Sequence, residues 1–213
     1  VKEFLSELLK QLKSIDYIKP EDIPNIDLYM DQVTTFMDEQ LAASKRYESD
    51  KILTKTMINN YAKNNLLPSP DKKKYSKEHV LTLLFIYYFK NILSINDIRS
   101  ILNPLTEKYF GNDDGFTMQD VYTEVFSLEA EESQKLLKDL GKKYKIAGET
   151  FEDFPDEDQK FLHTFSFICM LSFDVYIKKM LIERMIDNLN EEKAASSHEN
   201  THSGKESKKT GSN

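Results

Sequence analysis

Tryptophan is absent from this 213-residue chain, and cysteine occurs once. A single thiol excludes an internal disulfide framework and a cysteine-based zinc site, and it points to a reducing compartment. Six glycines and six prolines are too few for a turn-rich all-β protein, and the long intervals without either favour helices. Also missing are a P-loop, a dinucleotide-binding glycine pattern, an HExxH pair and a nucleophile elbow. The chain is therefore expected not to be an enzyme and to need no cofactor or metal. Cys169 lies in an apolar stretch and reads as an inert packing residue; His79 and His163 read as packing or surface residues. No signal-like apolar region follows Val1, so a cytoplasmic protein is expected.

What is present is bulk and charge. Apolar residues make up 39%, and 13 Phe and 11 Tyr supply core volume. The net charge of −7 is unevenly spread: residues 51–90 hold eight lysines against two acids, a net of +6, which leaves −13 for the remainder. A basic segment on an acidic body is the pattern expected when one face meets an anionic partner. A solvated surface is the plainer explanation of any charge run.

Residues 1–18 place Phe4, Leu5, Leu8, Leu9, Leu12 and Ile15 at helical spacing, ended by Lys19-Pro20. Asp27 is a candidate N-cap for a following helix whose stripe is Tyr29, Val33, Phe36, Met37 and Leu41. Residues 44–53 read as a polar connection. Thr54 caps a helix over Lys55–Asn65, with Leu53 as its hydrophobic staple. At about 100° per residue, Met57, Ile58, Tyr61 and Ala62 share one side, and Lys55, Thr56, Asn59, Asn60, Lys63 and Asn64 the other. Pro68 and Pro70 break the helix, and Ser69–Tyr75 forms a small hairpin or extended loop that thrusts out Lys72, Lys73 and Lys74. Ser76 caps a helix over Lys77–Asn91 that is apolar nearly all round and belongs at the centre of the core. Ser94 with Asp97 caps a short helix, Ile95–Leu102, stopped by Asn103-Pro104.

The order of a helix, a polar connection, a helix ending NNLLPSP, a basic loop ending KKYS, an apolar helix and then SINDIRSIL resembles a MerR-type winged helix-turn-helix. In detail, IPNIDLYMDQVTTFMDEQL and LTKTMINNYAKNNLLPSP resemble the two signature blocks of an uncharacterised bacterial family with a MerR-like domain, domain of unknown function 1836. The resemblance spans roughly residues 23–105. It implies an all-α fold in which Lys55–Asn65 is the recognition helix and Ser69–Tyr75 the wing. It further implies Asn59 and Asn60 at base edges, and Lys55, Thr56, Lys63, Lys72, Lys73, Lys74 and Tyr75 at phosphates of double-stranded DNA. Asn59, Asn60 and Tyr61 stand where the MerR pattern carries an Arg and two Tyr, and Lys73 stands for the wing Arg. The connection between the first two helices, about ten residues, exceeds most of its kind.

Beyond Pro104, GNDDG marks a turn that lacks the ligand set of a calcium loop. Thr117 caps a helix reaching about Lys143. The last helix, Asp156–Asn190, repeats Phe161, Ile168, Val175, Ile182 and Leu189 every seven residues, the pattern of a homodimer seam. His163, Thr164, Ser166, Ser172 and Asp174 interrupt it too often for a membrane span. Residues 191–213 lack bulky apolar side chains and are expected to be disordered, with His198 and His202 a chance pair.

The expected organisation is an N-terminal amphipathic helix (1–20), a winged helix-turn-helix domain (21–105), a helical effector or dimerisation module (106–190) and a tail (191–213). The expected function is a DNA-binding transcriptional regulator whose effector the sequence does not name. The alternative is a protein-interaction module that keeps the fold without DNA contact.

Overall fold

The computed structural model describes residues 17–112 and 115–206, apart from the side chains at 129–131, 133 and 196–206. The helix expected over residues 1–18 and the acids of GNDDG thus lie, almost wholly, outside the described residues. The rest is mostly helical. Two short strands, β1 (Leu28–Tyr29) and β2 (Lys74–Tyr75), pair antiparallel, and the helices are α1 (Met30–Gln40), α2 (Lys55–Lys63), α3 (Lys77–Phe89), α4 (Ile95–Tyr109), α5 (Met118–Gly148) and α6 (Asp156–Glu206).

Helix α3 is the axis of the fold. Its nine residues from His79 to Tyr87 are all buried, which is why its sequence shows no polar face. Each buried Leu, Val or Ile contributes about 1.5–3 kcal/mol of transfer free energy, so this helix gathers every layer around it. Val33 and Met37 of α1 and Leu41 at its C-cap, Ile58 and Tyr61 of α2, and Ile98 and Leu102 of α4 join the same core. So do Met118, Tyr122 and Phe126 from the start of α5, so residue 105 does not divide two cores. The Tyr122 hydroxyl donates to the Ile18 carbonyl at 2.8 Å, tying the segment before α1 to α5.

The helix starts follow their caps. Thr54 Oγ1 accepts from Met57 N at 3.2 Å. Ser94 and Asp97 cap α4 reciprocally, at 3.2 and 3.1 Å, and Thr117 and Asp120 do the same for α5, at 3.3 and 2.8 Å. Ser76 N donates to His79 Nδ1 at 3.0 Å, a capping box closed by histidine. Asp27 is not a cap. Strand β1 takes the residues after it, α1 starts at Met30, and Tyr29 N finds Gln32 Oε1 at 2.8 Å.

Three helix ends differ from expectation. Pro104 sits inside α4, which runs on to Tyr109. A proline there deprives the Ser100 carbonyl of its donor four residues on, and Lys193 Nζ of α6 supplies one at 2.9 Å. Helix α5 continues through Gly141, whose backbone stays helical, to Gly148. Helix α6 continues past Asn190 to Glu206, where a disordered tail is expected from the sequence, and Glu191–Ala195 are the good helix formers that carry it on.

Helix α6 packs in two regimes. Its first half lies along α5, where Phe167 meets Tyr144 edge-on at 5.4 Å, Lys143 bridges Asp139 and Asp174, and His163 Nε2 lies 2.8 Å from the Thr150 carbonyl. Its second half turns to the core, where Ile186 is 3% exposed. All five residues of the heptad line are exposed. Ile182 and Leu189, 36% and 45% exposed, flank the buried Ile186, and Phe161, Ile168 and Val175 are more exposed still. No described helix is long and apolar enough to cross a membrane.

Candidate nucleic-acid interface

Helix α2 divides as its periodicity requires. Ile58 and Tyr61 are buried, Met57 and Ala62 partly so, and Lys55, Thr56, Asn59, Asn60, Lys63 and Asn64 are exposed. Burial pushes the Tyr61 phenol up from its ordinary pKa, as expected for a side chain that belongs to the core. The helix closes with Asn65 in the left-handed region at φ +55°, Leu66 N donating to Tyr61 O at 2.9 Å and Asn65 N to Ala62 O at 3.1 Å. This double bond is the Schellman arrangement, and it turns Leu66 and Leu67 into the core. The exposed face therefore ends cleanly, with its amides and lysines directed at solvent.

The basic loop is a hairpin. Asp71 and Lys74 bridge, with Lys74 N donating to Asp71 O at 2.8 Å. Lys72 and Lys73 form the two-residue tip at φ +47° and +67°. Positive φ at both central residues is the requirement of a type I′ turn, which Asn-Gly meets and lysine meets at a conformational cost. All three lysines are exposed.

Tyr75 departs from expectation. It is 4% exposed, pairs with Leu28 across the two strands, and lies edge-on to His79 with ring centroids 5.5 Å apart. Its phenol, pushed up by burial, is an anchor under the hairpin and cannot reach a phosphate. Alternation along a strand decides this: Leu28 and Tyr75 point inward, Tyr29 and Lys74 outward.

The outward pair brings the lysine-bearing elements together. Lys74 Nζ stands over the Tyr29 ring, 5.5 Å from its centroid, and Lys55 of α2 forms an ion pair with Asp31. Tyr29 caps α1 and Asp31 lies in its first turn, so the start of α1 touches both the hairpin and the start of α2. Tyr29 is 54% exposed, an aromatic face beside the lysines. The sequence placed Tyr29 in a buried stripe and assigned Asp31 no role. Only the β1–β2 pairing, which joins residues 45 and 47 positions apart, reveals their place.

Not every lysine of the basic segment belongs to this surface. Lys90 Nζ donates to the Ile52 carbonyl at 2.7 Å and lies 5.0 Å from the Tyr87 ring centroid, with burial pushing its pKa down. It clamps the connection between α1 and α2, which Asp50 Oδ2 organises by accepting from Arg46 N at 3.1 Å and Tyr47 N at 3.0 Å. Beneath the hairpin, His79 is buried and its Nε2 has no hydrogen-bond partner. Desolvation holds its pKa below the ordinary histidine value, against the backbone of Pro68 and Ser69 and the Asp27 carboxylate.

Other concave sites lie elsewhere. A cleft of about 520 Å³ opens between the end of α5 and the start of α6, lined by Tyr144, Lys145, Glu149, Lys160 and His163 among others. Among the described residues no group of three or more His, Cys, Asp or Glu is placed to hold a metal ion.

Residues 18–125 match the profile of the family described as Domain of unknown function (DUF1836). No curated protein and no solved structure matches the chain.

Proposed function

This chain belongs to the DUF1836 family, and we propose that its family domain binds duplex DNA as a MerR-like winged helix-turn-helix and serves in transcription regulation. The observation that carries this reading is the joining of α2 and the hairpin at the first turn of α1, through Lys55–Asp31 and Lys74–Tyr29. In the proposal α2 enters the major groove, with Asn59 and Asn60 at base edges, where an amide pairs bidentately with adenine. Lys55, Thr56, Lys63, Lys72, Lys73 and Lys74 meet phosphates, and Tyr29 adds an exposed ring and hydroxyl beside the hairpin. Phosphate contacts then supply affinity and register, and the two asparagines supply discrimination.

One observation favours the alternative, an interaction module without DNA contact. Asp31 already neutralises Lys55 and places a carboxylate on the surface where a phosphate would approach. Salt dependence separates the two. Anisotropy titration of a random duplex should give an affinity that falls steeply with salt, and Lys72, Lys73 and Lys74 all changed to Ala should reduce the log–log slope by about 2.7. Asn59→Ala with Asn60→Ala should leave the slope in place and narrow the spread of affinities across sequences. Undetectable binding at low salt would remove the DNA reading and leave the interaction module.

A further inference from the structure

We propose that His79 is a proton-operated latch under the hairpin: neutral, its ring holds the base of the lysine-bearing loop, and charged, it lets that base go. His79 is the third residue of α3 and is 5% exposed. Its ring is wedged between Tyr75 of β2 and Phe110 at the end of α4, with centroids 5.5 and 4.7 Å away and both rings edge-on to it.

The hydrogen bonds decide where the single proton of the neutral ring sits. Ser76 N can only donate, and it lies 3.0 Å from Nδ1, so Nδ1 accepts and Nε2 carries the hydrogen. The Ser76 hydroxyl, 2.8 Å from the same atom, donates to it as well. Nε2 has no partner. Every hydrogen bond that holds the ring therefore runs through the atom that a second proton takes. Acidification sets donor against donor at Nδ1. It also places a cation in the first turn of a helix, where the free N–H groups repel it.

The groups around the ring divide. Asp27, just before β1, and the backbone of Pro68 and Ser69 favour the charged form, and desolvation outweighs them. Strand β2 contributes the Tyr75 phenol, which burial keeps neutral, and the end of α4 contributes the Phe110 ring. On α3 itself, Glu78 is engaged by Gly111 N at 2.7 Å. A charged ring that turns toward Asp27 satisfies its charge but abandons Ser76, the residue that joins β2 to α3. The hairpin depends on that junction. Its strands are two residues long, and Lys72 and Lys73 hold positive φ at its tip, so it needs the anchors at its base to stay closed. Once released, Lys72, Lys73 and Lys74 lose their fixed place beside α2. Only this last link, to an anionic partner, rests on the DNA reading above.

Hydrogen exchange of the full chain tests the latch without DNA. Between pH 7.5 and pH 5.5 a free imidazole goes from about a tenth to about nine-tenths charged. Protection of the Lys74 and Ser76 amides, which bond Asp71 O and His79 Nδ1, should therefore fall about tenfold relative to random-coil exchange at each pH. Helical circular dichroism should stay unchanged. His79→Gln accepts from Ser76 N and does not titrate, so it should abolish the fall. Nitrogen-15 spectra of the unsubstituted chain should show His79 as the Nε2–H tautomer at pH 7.5. Duplex affinity should fall by up to about tenfold over the same range, and not in His79→Gln, whereas titration of surface histidines would raise it. Unchanged protection, an equal fall in His79→Gln, an Nδ1–H tautomer, or a duplex affinity that rises on acidification each overturns the latch. The expected exchange pattern without any duplex binding leaves the latch standing and removes the DNA reading.

Discussion

Replacing Lys72-Lys73 by Asn-Gly should move stability and DNA affinity in opposite directions. Both lysines hold positive φ at the tip of the hairpin, and the left-handed region costs a non-glycine residue about 1–2 kcal/mol. Asn-Gly is the pair best suited to a type I′ turn. Discounted for the greater freedom of glycine in the unfolded chain, the exchange should stabilise the fold by about 1–2 kcal/mol, or roughly 3–6 °C in a domain of this size. The same exchange removes two exposed cations. If each meets a phosphate, the log–log salt slope should fall by about 1.8, which corresponds to roughly 60-fold weaker binding at 0.1 M salt. Differential scanning fluorimetry reads the first effect and anisotropy at several salt concentrations the second. A lower unfolding temperature would show that the turn is not the one described. A higher unfolding temperature with an unchanged salt slope would show that the hairpin is a structural clasp and not a phosphate contact.

Four further perturbations probe other parts of the molecule. Asp31→Asn frees Lys55 and removes a surface carboxylate, so duplex affinity should rise several-fold at low salt; a fall would place Asp31 among the contacts. The depressed folded pKa of His79 means that the unfolded chain binds its proton first, so stability should decline as pH falls below about 6.5. His79→Gln, which preserves a capping-box acceptor, should flatten that decline in melts between pH 7 and pH 5, whereas a parallel profile would clear His79 of responsibility. Tyr122→Phe leaves the Ile18 carbonyl without its buried donor and should cost about 1–2 kcal/mol in urea unfolding. Gly141→Ala should stabilise by about 0.5–1 kcal/mol, because an added Cβ meets nothing within 4 Å and the backbone is helical.

The parts of the fold that local chemistry decides were legible in the sequence. Thr54, Ser94 and Thr117 cap helices because a short side chain can reach an amide three residues on. The all-round apolar character of Lys77–Phe89 follows from burial on every side. What stayed hidden depends on partners far away in sequence. Tyr75 could not be distinguished from a surface tyrosine until β2 paired with β1. Pro104 reads locally as a stop, and the donor that reaches the carbonyl it leaves open comes from a lysine 89 positions further along. In α6 periodicity did not reveal that Ile186, between the exposed Ile182 and Leu189 of the heptad line, joins the core. Of the candidate site, the exposed face of α2 and the lysine tip followed from periodicity and the prolines. Tyr29 and Asp31 did not, because nothing local marks the start of α1 as the meeting point of two basic elements.

Non-local contacts of the same kind fasten the exposed helix α2 to the rest of the fold. Arg99 Nε donates to the Asn64 carbonyl at 3.0 Å, fastening α4 to the C-terminal cap of α2. The neighbouring Ser100 carbonyl receives Lys193 from α6. Two adjacent residues of α4 thus hold the helix offered to DNA and the last helix of the chain. Arg99→Ala removes the first of these contacts and should weaken duplex affinity several-fold while leaving the log–log salt slope in place, because no phosphate contact is lost. Anisotropy titrations of the variant at several salt concentrations would reveal that change. An affinity equal to that of the unaltered chain would show that α4 does not position α2.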